Sequence, residues 1–140
     1  MRILVVGYGN PLRKDDAVGL WVARRLSQEG VESIPAWPLT PELITRIAAA
    51  DLVIFVDADA RSGPIRWRRI QPKPTTAALS HGTSPGELLA WARALFGWAP
   101  EAWLVTIPGE DFSFGEGLSQ HTKRRAERLV RRIRKMFAEG

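Results

Sequence analysis

Two apolar runs stand out along the chain: ILVV, within the segment Arg2 to Val6 and closing on Gly7, and Leu52 to Val56 (LVIFV), closing on Asp57. Neither shows the polar alternation of a half-exposed strand, so each predicts a strand buried on both faces of a sheet. Trp103 to Ile107 (WLVTI) predicts a third core strand. Between these runs the period changes to that of a helix. Ala17 to Leu26 (AVGLWVARRL) predicts one helix. A second is expected from Thr40-Pro41-Glu42 to about Ala50, with Thr40 as cap and Pro41 at the first helical position. Pro85 to Phe96, capped by Ser84, predicts a third. A terminal helix is marked by Ala126, Leu129, Val130, Ile133, Met136 and Phe137 recurring at helical spacing. Val31 to Ile34 is a weaker strand ended by Pro35 and Pro38, and Ile65 to Ile70 alternates apolar and basic residues as an exposed edge strand does. Alternating strands and helices predict an α/β fold. We expect a single three-layer α/β/α sandwich over residues 1–140, its sheet mostly parallel with one antiparallel edge strand.

Composition narrows the chemistry. A chain of 140 residues can bury a real core. It has no cysteine, which excludes a disulfide scaffold, a zinc–thiolate site, an iron–sulfur cluster and a cysteine nucleophile. No apolar run is long enough to cross a bilayer, and the first run is too short for a signal peptide, so a cytoplasmic protein without membrane insertion is expected. The net charge is +5, and eight of the twenty basic residues lie between Lys123 and Lys135. Such a face could meet nucleic acid or an acidic protein, but its bland reading is a solvated outer surface. No aromatic residue is interleaved with the charge before Phe137, so no nucleic-acid partner is expected.

In an open α/β sheet, ligands bind beyond the carboxyl ends of the strands. The first strand delivers Gly7, Gly9, Asn10, Asp15 and Asp16 to that edge, and the middle strand delivers Asp57 and Asp59. Ser80, His81 and Thr83 precede the third helix, while Glu110 and Asp111 follow the last strand. Carboxylates from two loops and an imidazole from a third suit a metal bound through oxygen and nitrogen, or an acid/base pair beside an imidazole. Each residue also has a plainer role. Asp15 sits where it would cap a helix, Asp57 and Asp59 could organise the following turn, and His121 has no partner in view. Common motifs are missing: Leu12 stands where GxGxxG needs glycine, and GxxxxGK[ST], GxSxG and HExxH are absent. A phosphate at the GYGN turn is a weak further option.

Taken in order, these segments resemble the endopeptidases that mature the large subunit of nickel–iron hydrogenases. MRILVVGYGNPLRKDDAVGLWVARRL is similar to that family's first motif, a strand, G-x-G-N, an acidic pair and the glycine at Gly19. VIFVDADA is similar to its second, a strand ending in a metal-ligand aspartate. SHGTSPGELLAWARAL resembles its third, a histidine shortly before a helix, and WLVTIPGEDFSFGEGLS its last strand, acidic loop and entry to the terminal helix. The resemblance implies an aspartyl-type endopeptidase that removes a C-terminal extension from the hydrogenase large-subunit precursor after nickel insertion. It implies Asp16, Asp57 and His81 as the residues that recognise nickel and support cleavage, the metal being supplied by the substrate. Where relatives usually carry a glycine-rich segment after the second strand, this chain has AWPLTPEL. A non-catalytic metal-binding or assembly chaperone on the same fold is the alternative.

Overall fold

The computed structural model describes residues 1–74 and 83–139. Five strands form one sheet in the order β2-β1-β3-β5-β4. They are β1 (Ile3–Tyr8), β2 (Ser33–Ala36), β3 (Leu52–Asp59), β4 (Arg66–Ile70) and β5 (Glu101–Pro108). β2, β1, β3 and β5 run parallel, and β4 pairs antiparallel with β5 at the edge. Four helices cover the sheet: α1 (Val18–Gln28), α2 (Leu43–Ala48), α3 (Pro85–Phe96) and α4 (Gln120–Glu139).

The buried strands sort their side chains by alternation. Ile3 and Val5 of β1, with Leu52, Ile54 and Val56 of β3, face α1 and α4, meeting Val18, Val22, Leu26, Ala126, Leu129 and Ile133. Leu4, Val6, Val53 and Phe55 point the other way, into Leu43, Ile47, Leu88 and Leu89 of α2 and α3. A strand buried on both faces needs apolar residues at every position, which is why ILVV and LVIFV read as unbroken runs. The result is the expected α/β/α sandwich with one antiparallel edge.

Several local expectations are corrected. β2 lies two residues later than Val31–Ile34 and includes Pro35, which stands opposite Gly7. As an edge strand, β2 has one unpaired side, where a residue lacking N–H loses no ladder bond. α2 starts only at Leu43, and Glu42 holds its cap position without a side-chain hydrogen bond to the helix backbone. Thr40 does not cap it; its hydroxyl bonds the Glu42 carboxylate, while the Thr40 and Pro41 carbonyls accept from Leu43 and Ile44 in a turn. α3 carries the expected Ser84 cap, completed by Glu87 into a reciprocal capping box. α4 runs from Gln120 to Glu139 and takes in the whole expected stretch from Ala126 to Phe137.

Candidate active site

The strand order places one topological switch point. β1 and β3 are neighbours, but β1 leads to β2 on one side whereas the chain beyond β3 lies on the other. The loops part between them, and in an open α/β sheet this is where the ligand crevice is expected, beyond the carboxyl ends of the strands. Asp57 sits at that end of β3, paired in register with Thr106 of β5. Asp16 arrives from the β1–α1 loop, in a 3-10 turn spanning Lys14–Ala17.

Glycines make this approach possible. A Cβ on Gly19 would lie 2.3 Å from the Val56 carbonyl oxygen and 2.5 Å from that of Tyr8, and one on Gly7 would lie 1.9 Å from the Gly19 carbonyl oxygen. The first turn of α1 thus rests directly on the backbone where β1 and β3 end, with no side chain between. Gly9, at φ 150°, lets its backbone pass against that of Asp16, where a Cβ would meet the Asp16 carbonyl oxygen at 1.9 Å. The Asn10 N–H donates to the Asp16 carboxylate at 2.7 Å, and the Asn10 side-chain oxygen accepts from Leu12 N–H at 2.8 Å. GYGN is thus a packing device whose Asn10 amide is already taken by a carboxylate, which removes the reason to place phosphate there.

The charge of Asp16 reaches the Asp57 carboxylate. Burial is the largest influence on Asp57 and pushes its carboxyl up to about 6. The Ala58 N–H, donating at 2.8 Å, and the Tyr8 phenol pull in the opposite direction, while the negative charges of Asp16 and Asp59 push up. Tyr8, last residue of β1, is itself raised, first by burial and then by Asp57. Its hydrogen-bonding role beside Asp57 was missed in the sequence; the only available sign is its place where β1 ends. Asp59 takes the plainer role. It accepts from the Arg61 backbone at 2.9 Å and pairs with Arg61 and Arg66 at 3.0 and 3.2 Å, organising the turn after β3.

Asp15 departs from its expected role. No side chain caps the 3-10 turn or α1. Instead the fully buried Asp15 carboxylate accepts from the N–H groups of Glu110, Asp111 and Ser119 at 2.8, 3.1 and 2.7 Å. The hydroxyls of Ser119 and Thr122 add contacts at 2.7 and 2.9 Å. It therefore serves the β5–α4 loop and the start of α4. Burial opposes its ionisation, but the hydrogen bonds from Glu110, Ser119 and Asp111 outweigh this and hold its carboxyl below the usual range. His121 does have a partner: its Nδ1 lies 2.9 Å from Glu110 Oε1, an exposed pair.

Among the described residues, no three His, Asp or Glu side chains are gathered as a metal would require. Asp16 and Asp57 form a carboxylate pair, and His81 lies outside the described residues, as does Ser80. The donor chemistry fits a cation: two like charges at a half-buried edge raise the proton affinity of one of them, and the same field favours a bound metal.

Among solved structures, the chain is 32% identical to a [NiFe] hydrogenase maturation protease, HycI, from Thermococcus kodakarensis. That match covers 94% of this chain and 89% of that one, with a TM-score of 0.70. The hydrogenase maturating endopeptidase HybD from E. coli is 25% identical at a TM-score of 0.74, covering 99% and 93% of the two chains. The HybD maturation protease from Thermococcus kodakarensis shares the fold at 22% identity and a TM-score of 0.72, covering 97% and 99%. No family profile and no curated protein sequence matches the chain. The fold defines an α/β protein built on a mostly parallel sheet with one antiparallel edge. The chain belongs to the [NiFe] hydrogenase maturation protease family.

Proposed function

We propose that this chain is an endopeptidase that removes the C-terminal extension of a nickel–iron hydrogenase large-subunit precursor after nickel insertion, recognising the bound nickel through Asp16, Asp57 and His81. The observation that carries the reading is the Asp16–Asp57 pair at the β1/β3 crevice, in a chain 32% identical to a hydrogenase maturation protease. Nickel belongs to the substrate in this scheme. Held at the carboxylates, it would polarise the scissile carbonyl or a water. The chain's own part is to position the donors. Gly19 seats α1 on the strand ends, the Asn10 N–H holds the Asp16 carboxylate, and Tyr8 and the Ala58 N–H hold that of Asp57. No common nucleophile motif competes for the role. Among the described residues no helix is long and apolar enough to cross a membrane.

The test is cleavage of a nickel-loaded large-subunit precursor by wild type beside Asp16→Asn, Asp57→Asn and His81→Ala. Trimming by wild type and failure of all three folded variants is the expected result. Binding without any cleavage by wild type overturns the reading in favour of an assembly chaperone on the same fold.

A further inference from the structure

The positive charge of this protein is concentrated in one helix. α4 carries eight basic residues against Glu127 and Glu139, while the rest of the chain holds twelve basic and thirteen acidic residues. Three of the eight are used by the fold: Arg125 donates to the Pro108 carbonyl at 3.1 Å, Arg134 pairs with Glu29 at 2.9 Å, and Arg132 stacks over Trp67. Arg124, Arg128, Arg131 and Lys135 are exposed and have no hydrogen bond, ion pair or ring contact among the described residues. Their spacing puts them on a single line along the helix, opposite buried Ala126, Leu129, Val130 and Ile133. The line is about 16 Å long at the ordinary helical rise.

Like charges three or four residues apart repel, and Arg124 lies near the helix start, where the dipole disfavours a cation. The line also begins beside the site. Thr122, two residues before Arg124, bonds the Asp15 carboxylate, so the start of α4 is tied to the loop that carries Asp16.

We propose that Arg124, Arg128, Arg131 and Lys135 form a docking surface for an acidic face of the substrate protein, steering its C-terminal region to the crevice. The inference rests on the proposed peptidase function for its choice of partner. A protein face is favoured over nucleic acid because the line carries no aromatic platform, and Trp67 is already engaged by Arg132. Charge of this kind acts on encounter more than on chemistry.

The experiment measures binding and cleavage of the nickel-loaded precursor by wild type, by the fourfold Arg124→Gln, Arg128→Gln, Arg131→Gln, Lys135→Gln variant, and by a charge-preserving Arg124→Lys, Arg128→Lys, Arg131→Lys variant. Circular dichroism confirms that each is folded. The glutamine variant is expected to raise KM about tenfold at low salt with kcat unchanged, the gap closing near 0.5 M salt, while the lysine variant behaves as wild type. Cleavage by wild type with KM indifferent to the glutamine variant overturns the docking surface and leaves the peptidase reading intact. If wild type binds but never cleaves, the peptidase reading falls, and the surface stands only if binding still weakens in the glutamine variant. Tighter binding of a 20-nucleotide RNA or DNA than of the precursor, lost in the glutamine variant, overturns the choice of a protein partner.

Discussion

Ser119 gives both its backbone N–H and its hydroxyl to the Asp15 carboxylate, each at 2.7 Å, across 104 residues of sequence. With Thr122, Glu110 and Asp111 joining it, one buried carboxylate fastens the loop beside the crevice to the last loop and the last helix. Asp15 therefore shapes the site without entering it. Asp15→Asn would leave buried donors facing an amide that accepts fewer of them. A loss of about 3 kcal/mol is expected, read from urea unfolding at pH 7. The carboxyl is held below its ordinary value, so its stabilisation is full above the usual carboxylate range and is lost as pH falls through the depressed value. The gap between wild type and variant should narrow on acidification; a constant gap refutes the assignment.

Gly19→Ala tests the seating of α1. The new Cβ would meet Val56 and Tyr8 carbonyl oxygens at 2.3 and 2.5 Å, and these are backbone atoms of two core strands. The helix has to lift off the sheet, so a loss of about 3 kcal/mol or more is expected in thermal unfolding. A neighbouring surface substitution, Arg24→Ala, should change stability by less than about 0.5 kcal/mol.

Asp57 should trade stability for activity. Its carboxyl is raised to about 6 chiefly by burial, so its contribution to stability is greatest below the ordinary carboxylate value and is lost as pH rises through about 6. Asp57→Asn removes that penalty. It should stabilise the protein by about 1 kcal/mol at pH 7, an advantage that fades toward pH 4, while abolishing cleavage. Wild-type cleavage should decline below about pH 6 as the carboxylate is protonated. A variant less stable than wild type at pH 7 would contradict the burial argument.

The capping box of α3 offers a local test. Ser84 Oγ accepts from the Glu87 N–H at 3.3 Å, and the Glu87 carboxylate receives the Ser84 N–H at 3.2 Å. Ser84→Ala should cost about 1 kcal/mol in urea unfolding, and Ser84→Asp should recover most of it.

What could be read directly from the chain followed from short-range rules. The α/β order, the antiparallel edge at Arg66–Ile70 and the Ser84 cap follow from period, alternation and side-chain chemistry within a few residues of each element. The position of Asp57 near the carboxyl end of β3 was legible because a carboxylate closing a buried strand must come out at the sheet edge. Pairing across the fold was not legible. Nothing near Asp15 in sequence announces Ser119 or Thr122, and the same acidic residue would have suited a local helix cap. Pro35 looked like a strand terminator because its missing N–H matters only where a neighbour needs it, and only the strand order shows that β2 lies at the edge. Asp59 and Asp57 are alike in sequence, yet one is claimed by Arg61 and Arg66 while the other is buried beside Tyr8 and Asp16. By itself the sequence determined which segments are strands and helices, because those depend on local period and on burial that each strand advertises. The tertiary structure alone decided which carboxylate is free and which is spent, because that depends on which distant donors the fold brings within about 3 Å.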